Sequence, residues 1–338
     1  MVDWQFIAGS RLCGLDGRCH LPCRGIYSTQ KESAAMNDKK VMQGLSATRG
    51  SSFGIGFFRL LLKFGGINRA CEFVWFIALF YVLFDHKARR STMPYLRHRF
   101  PKAGSFRLWC YAYRLMVSQG QSLLEAAVVD SGTEYSINSE NDTELRDLIL
   151  KSKDGIILLI SHFGPWQASM STVLNYGRNV TIVVQRDQNV NVDKMMAVKN
   201  SGLKINTAFT DDLTGGVLDA MSAIERGDIV CIMGDRCREK DALLIDFLGE
   251  PARFPFAAFY LAAKYTCPVV PMFVFREKRH DTLLFHFGKA LYPECHAHGH
   301  HRRESLRPYV AAYVTELETA SSRFPFQCYI FEDVWETR

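Results

Sequence analysis

From Asp154 onward the sequence alternates short aliphatic and β-branched runs with longer stretches at helical spacing, the signature of a central sheet flanked by helices. Strands are expected at residues 156–160, 180–184, 203–207, 229–233, 243–247, 269–275 and 283–287, and helices at 165–176, 192–200, 214–225, 256–265 and 305–321. Ahead of them Leu108, Tyr111, Ala112, Leu115 and Met116 recur at helical spacing and 122–129 continue the pattern, which makes a helical preface. The fold class is therefore α/β, a central, mostly parallel sheet flanked by helices, preceded by an apolar helical segment that anchors to a membrane. With 338 residues, 48% of them hydrophobic, the chain has the material for one large α/β unit with a helical extension. Three regions are expected: an unstructured leader over 1–48, an apolar and basic membrane-associated helical region over 49–130, and the α/β domain over 131–338.

The membrane reading rests on residues 53–84. An uninterrupted apolar run covers 73–84, twelve residues, which is short of the about 20 needed to cross a hydrocarbon core. Residues 57–64 carry only Arg59 and Lys63 among Phe and Leu, as in a helix lying at a headgroup boundary. Joined, the two segments just suffice to span. A basic block follows, with eight Lys or Arg and one acid between Asp85 and Arg114, a local charge of +7 against +6 for the whole chain. An apolar anchor followed by Lys and Arg suits the anionic cytoplasmic leaflet, so attachment to a membrane from its cytoplasmic side is expected. The alternative is an apolar hairpin packed on the core with a solvated basic face. Outside that block the charge is close to neutral, which argues against nucleic acid as a partner.

The ten cysteines are scattered and form no disulfide framework, so a reducing compartment is the default. Cys13, Cys19, His20 and Cys23 lack the second half of a zinc knuckle, and the histidine tract at 296–303 reads as a solvated loop, so no metal is expected. Residues 1–50 hold no continuous apolar stretch of the secretory type.

The chemistry concentrates at strand ends. GIILLISHFGPWQASM, residues 155–170, is an apolar strand, then Ser161 and His162, then a Gly164-Pro165 turn that opens a helix. His162 thus stands at the carboxyl end of a strand, where open α/β sheets place reacting groups, and an imidazole there can remove a proton near neutral pH. Arg186 ends the second strand, and Asp235 and Arg236 end another. A base, a carboxylate and two guanidinium groups along one edge suit a general-base reaction on an anionic substrate. The structural alternative for the arginines is ion pairing with Asp187, Asp235 or Glu239.

HFGPW, MGDR, FLGEPARFP with the following LA and PVVP, and the terminal DVW segment resemble the bacterial lipid A biosynthesis acyltransferases of the lysophospholipid acyltransferase superfamily. The openings RGSSFGIGFFRLLLKFGG and ARRSTMPYLRHRFP are similar to that family's membrane-proximal region, and the likeness runs over about 49–335. It implies transfer of a fatty acyl chain from an acyl carrier protein or CoA thioester, with no other cofactor, to a hydroxyl of a glycolipid or related amphiphile such as a phospholipid. The family signature is His, four residues, then Asp or Glu. Carried over, His162 is the base, and the acid position is Gln167, which can hold the imidazole's tautomer but cannot offset its charge. Either another carboxylate substitutes, Asp235 or Asp187 being the candidates, or catalysis is weakened. Arg186 and Arg236 are expected on a phosphate or carboxylate of the substrate. Phe163 and Trp166 beside the histidine, with Phe254, are expected at the substrate, Phe254 and Phe256 serving as core or acyl-channel wall. Two rival classes stand beside this one: an acyltransferase-like lipid or carrier-binding protein without turnover, and a hydrolase with Ser161 as nucleophile, which lacks a G-x-S-x-G elbow.

Overall fold

The computed structural model describes residues 52–128, 136–151, 153–184, 203–210, 215–237, 242–277, 282–295 and 301–335, all within one compact unit, Gly50–Arg338. The expected leader, its cysteines, Arg186, Asp187, Glu239 and the helix expected at 192–200 lie outside the described residues.

The helical region comes first: α1 (Ser52–Phe84), α2 (His86–Arg99) and α3 (Ser105–Val128). Gly66 breaks α1 with φ 66° and ψ −176°, a conformation open to glycine and costly for other residues. Beyond the break, Ala70, Cys71, Val74, Ala78 and Val82 are buried and pack the small face of α1 toward α3. A Cβ on Gly120 of α3 would stand 2.7 Å from Val74, so that glycine sets how closely the two helices approach. The large side chains face the other way, with Phe76 71% and Phe80 60% exposed beside Trp75, Leu79, Leu83 and Phe84. A water-facing helix would carry polar residues there. The stretch Gly65–Phe84, 20 residues with mean hydropathy 1.6, is long and apolar enough to cross a membrane.

Part of the basic block serves helix ends. Asp85 caps α2 by accepting from the Ala88 N–H at 2.9 Å. Arg89 donates to the Val82 carbonyl in the last turn of α1, and Arg99 donates to the Ser321 carbonyl, where cations meet unsatisfied carbonyls and the negative helix end.

The α/β part follows as β1 (Ser136–Glu140), α4 (Asp142–Lys151), β2 (Ile156–Ile160), α5 (Trp166–Val173), β3 (Val180–Val184), β4 (Ile205–Phe209), α6 (Gly215–Glu225), β5 (Ile229–Met233), β6 (Leu243–Phe247), β7 (Glu250–Phe254), α7 (Ala257–Tyr265), β8 (Val269–Arg276), β9 (Thr282–Phe287) and α8 (His301–Arg323). Seven strands form one sheet in the order β1-β9-β8-β2-β5-β3-β4, and β6 and β7 form a separate hairpin. Within the large sheet the β8–β9 pair is antiparallel and the other pairs are parallel. Strands β2, β3 and β8 are buried along their whole length, as continuous apolar runs must be when helices cover both faces. Ile157 and Leu159 face Phe259 of α7 and Val310 and Tyr313 of α8. Ile156, Leu158 and Ile160 face Leu145 of α4 and Trp166 and Met170 of α5.

Strand β4 lies two residues later than expected, because its register is set by β3, with Val180 opposite Ile205. The hairpin turns at Leu248 (φ 55°) and Gly249 (φ 89°), the left-handed pair that matches strand twist. Strand β7, which holds Pro251, and the exposed edge strand β1 show no periodic apolar signal; pairing with β6 and β9 makes them strands. Residues 301–303, expected in the histidine loop, open α8 instead.

Glu140 at the end of β1 receives both Nη groups of Arg323, from α8, and lies 3.2 Å from Nδ1 of His286. The Arg323 hydrogen bonds, against some burial and with help from His286, hold its carboxyl down to about 2. A depressed carboxylate stabilises the fold above its unfolded value near 4.5 and loses that contribution as pH falls toward 2. The pair is more than one-third exposed, so solvent screening limits it to about 0.2–1 kcal/mol. Between pH 5 and pH 3 the urea midpoint of the wild type should therefore fall further than that of Glu140→Gln; parallel curves would refute this role for the pair.

Candidate active site

The register between β2 and β5 builds the site. Ile160 lies opposite Met233, so the residues two steps beyond each strand end, His162 and Asp235, emerge side by side. Nδ1 of His162 is 2.9 Å from Oδ1 and 3.0 Å from Oδ2 of Asp235, and the His162 backbone N–H donates to Oδ2 at 3.0 Å. Asp235 is fully buried, whereas the His162 side chain is 25% exposed. Burial would raise the Asp235 carboxyl, but the imidazole with its hydrogen bonds, together with the Arg236 guanidinium, outweighs it and holds the group below the ordinary carboxylate range. An ionised carboxylate can only accept, so the hydrogen sits on Nδ1 and the basic lone pair sits on Nε2.

The turn after His162 is tight. The Phe163 N–H donates to the Ser161 carbonyl at 2.7 Å, and Gly164 has φ 46°. A Cβ on Gly164 would lie 2.4 Å from the Val274 carbonyl of β8, which admits glycine and no other residue without a shift. On the β5 side the Gly234 N–H donates to the Ile160 carbonyl at 2.9 Å.

The C-terminal aromatic segment straps this turn in place. Tyr329 N–H donates to the His162 carbonyl and Gly164 N–H to the Gln327 carbonyl, both at 2.8 Å, and Phe163 bridges to Cys328. Farther along, the Trp335 indole donates to the Phe247 carbonyl at 2.9 Å and fastens the strap to the hairpin. Sequence reasoning singled out this segment for its aromatics but not for its backbone hydrogen bonds, which leave no mark in composition.

The strap is tied to α3 by a buried ionic cluster. Arg276, at the end of β8, donates through Nε to Glu125, through Nη1 to Gln121 Oε1, and through Nη2 to the Ser118 carbonyl and Ser122 Oγ. Its backbone exchanges two hydrogen bonds with the Gln327 side chain, each 2.8 Å. Tyr329 Oη meets Ser118 Oγ and Ser122 Oγ at 2.9 Å. Burial opposes the charge on Arg276, but Glu125 overcomes it, so the guanidinium stays protonated.

The remaining expected residues fall as follows. Gln167 is half-buried in the first turn of α5 and makes no hydrogen bond to His162; the carboxylate that does is Asp235. Phe163 and Phe254 are core residues, Phe163 edge-on to Phe273 and Phe275, Phe254 edge-on to Phe247. Trp166 is 5% exposed, its ring centroid 6.1 Å from that of His162 in a T-shaped contact. Arg236 is half-buried, donates to the Tyr329 carbonyl, and has a buried Nε with no partner among the described residues. Ser161 is buried and its hydroxyl makes no hydrogen bond to His162, so no base among the described residues activates it as a nucleophile.

Residues 49–307 match the family model of the bacterial lipid A biosynthesis acyltransferases. The chain belongs to this family. The matched span of this acyltransferase includes His162, Gln167, Asp235 and Arg236 and stops short of the strap. No curated protein matches the acyltransferase. Among solved structures it is similar to the 1-acyl-sn-glycerophosphate (LPA) acyltransferase PlsC from Thermotoga maritima, at 14% identity over 73% of this chain and 94% of that one, with a TM-score of 0.32.

Because the carboxylate facing His162 comes from Asp235, a second acid at the family position has no vacant role. Gln167→Glu is expected to leave turnover within about threefold of wild type, far below the about 10²–10⁴-fold effect of a general acid–base group. A tenfold or greater rise in a transfer assay would show that Gln167 occupies the acid position after all.

Proposed function

We propose that this acyltransferase moves a fatty acyl chain from an acyl carrier protein or CoA thioester to a hydroxyl of a glycolipid, with His162 as general base. The His162–Asp235 pair carries the reading. Nε2 takes the proton of the acceptor hydroxyl as its oxygen attacks the thioester carbonyl carbon. The C–S bond then breaks, the acyl ester forms, and the sulfur leaves with the proton returned by the imidazolium. Asp235 holds the tautomer that leaves Nε2 basic and offsets the imidazolium charge, the task the family assigns to the residue five positions after the histidine. The strap's hydrogen bonds to His162 and Gly164 fix the ring's backbone, and positional precision of this kind supports rate. Arg236, with Arg186, is assigned to a phosphate on donor or acceptor.

The outward aromatic face of α1 and the basic residues that follow it support attachment to the cytoplasmic face of the inner membrane, with α1 alongside the catalytic body. The lack of a carboxylate at position 167 speaks for a carrier without turnover, and the Asp235 contact at Nδ1 supports turnover instead.

The test is a transfer assay with acyl carrier protein and CoA donors of several chain lengths on membrane glycolipid and phospholipid acceptors, joined to mass spectrometry of lipids from cells with and without the gene. Acylated glycolipid from the purified chain, missing in the deleted cells, is the expected result. No acylated product from either donor, with unchanged lipids, would refute the reading.

A further inference from the structure

We propose that the cavity between α1, α3 and the residues following α8 binds the phosphate headgroup of an anionic membrane phospholipid, with Arg114 as the ligand. The cavity measures about 380 Å³, and Trp75, Arg114, Gln121, Arg323, Phe326 and Gln327 are among its walls. Neither His162 nor Asp235 lines it, so it is a second site, and it does not rest on the acceptor proposed above.

Three observations identify the occupant. The first is charge. No carboxylate lines the cavity among the described residues, and Arg323 has both Nη groups on Glu140. Arg114 has no acidic partner among the described residues; its guanidinium carbon stands 4.1 Å over the Phe326 ring. Stacking fixes the guanidinium plane while leaving its N–H edge for an oxyanion.

The second is that the neutral polar groups of the wall are already engaged. The Gln121 amide lies between the Cys71 carbonyl and Arg276, both ends of the Gln327 amide are bonded to the Arg276 backbone, and Ser118 Oγ meets Tyr329 Oη. The arrangement therefore favours a charged group over a neutral sugar, which would need those amides and hydroxyls.

The third is continuity with the apolar face. Trp75 lines the cavity and also begins the exposed row of Phe76, Leu79, Phe80 and Leu83; its carbonyl accepts from Tyr113 Oη at 2.9 Å and its ring sits edge-on to Tyr113. Tryptophan and tyrosine favour the level of lipid headgroups. One amphiphile can thus place its phosphate on Arg114 and its chains along α1. The volume, near the low end of the about 300–1,000 Å³ span of ligand pockets, fits a headgroup without its tails.

The experiment uses the full chain and vesicles of phosphatidylcholine with or without phosphatidylglycerol, and follows co-sedimentation together with quenching of tryptophan by bromine-labelled phosphatidylglycerol, with Trp75→Phe locating the signal. Arg114→Gln is expected to weaken binding to the anionic vesicles about fivefold and to leave phosphatidylcholine binding unchanged. Arg114→Lys is expected to lose nearly as much, because lysine keeps the charge but not the stacked fork, whereas Arg107→Gln, outside the cavity, loses less. Full binding by Arg114→Lys, or equal losses for Arg107→Gln and Arg114→Gln, would reduce the effect to diffuse charge and overturn the proposal. Short-chain phosphatidylglycerol should compete for the Trp75 signal, and inorganic phosphate at the same concentration should not. Equal competition by phosphate would assign the site to a free oxyanion and overturn it as well.

Discussion

Asp235→Asn is expected to slow acyl transfer about 10³–10⁴-fold with little change in the fold, the scale of loss when the aspartate that orients a catalytic histidine is neutralised. Asparagine fills the same volume and keeps an oxygen for the His162 backbone N–H, now 3.0 Å from Oδ2. Its NH₂ group, turned to Nδ1, can only donate. That moves the ring hydrogen to Nε2, the nitrogen that must accept the acceptor's proton. The imidazolium formed during attack also loses its counter-charge in a site where Asp235 is fully buried and water cannot replace it. His162→Ala is expected to lose at least as much, and the double variant no more than the worse single one, because the two side chains act as a unit. Single-turnover transfer with thermal melts as a folding control measures this. Turnover of Asp235→Asn within tenfold of wild type would sink the assignment.

Glu125→Ala is expected to destabilise the protein by about 3–5 kcal/mol, because it leaves the Arg276 guanidinium buried without its carboxylate. The pair sits where α3, β8 and the strap meet, with Arg276 on Gln121, Ser118 and Ser122 of α3 and its backbone on Gln327 of the strap. Removing both charges should cost less than removing one: Glu125→Leu combined with Arg276→Met leaves no ion in this cluster, and such exchanges are often close to neutral. Urea unfolding of the two singles and the double reads this as a coupling energy. A double variant as unstable as the two singles added together would show that the charges contribute independently. Gln327 and Tyr329 hold both this cluster and the backbone at His162, so Glu125→Ala should lower activity as well as stability.

The local elements were largely legible. Burial of 156–160, 180–184, 229–231 and 269–275 follows from their apolar runs, and the Gly164-Pro165 turn put His162 at a strand end. Strands β1 and β7 were not legible, since one is exposed and the other contains Pro251, and each is a strand because a partner is. The motif spacing pointed to Gln167 as the partner of His162 and kept Asp235 as a candidate by strand-end reasoning; the geometry puts Asp235 on the ring, 73 residues away in the chain.

Sequence by itself determined which segments are apolar, where they stop, and hence that an imidazole, a carboxylate and an arginine gather at strand ends, because those properties depend on residues adjacent in the chain. It also determined the family, through short motifs in fixed order. Tertiary structure alone decided which carboxylate faces His162, that the last aromatic residues brace its backbone, and that Arg276 and Glu125 meet inside the core. Those contacts join residues far apart in the chain. They are set by strand register and by the need to satisfy buried polar groups, conditions that exist only once the whole chain has packed.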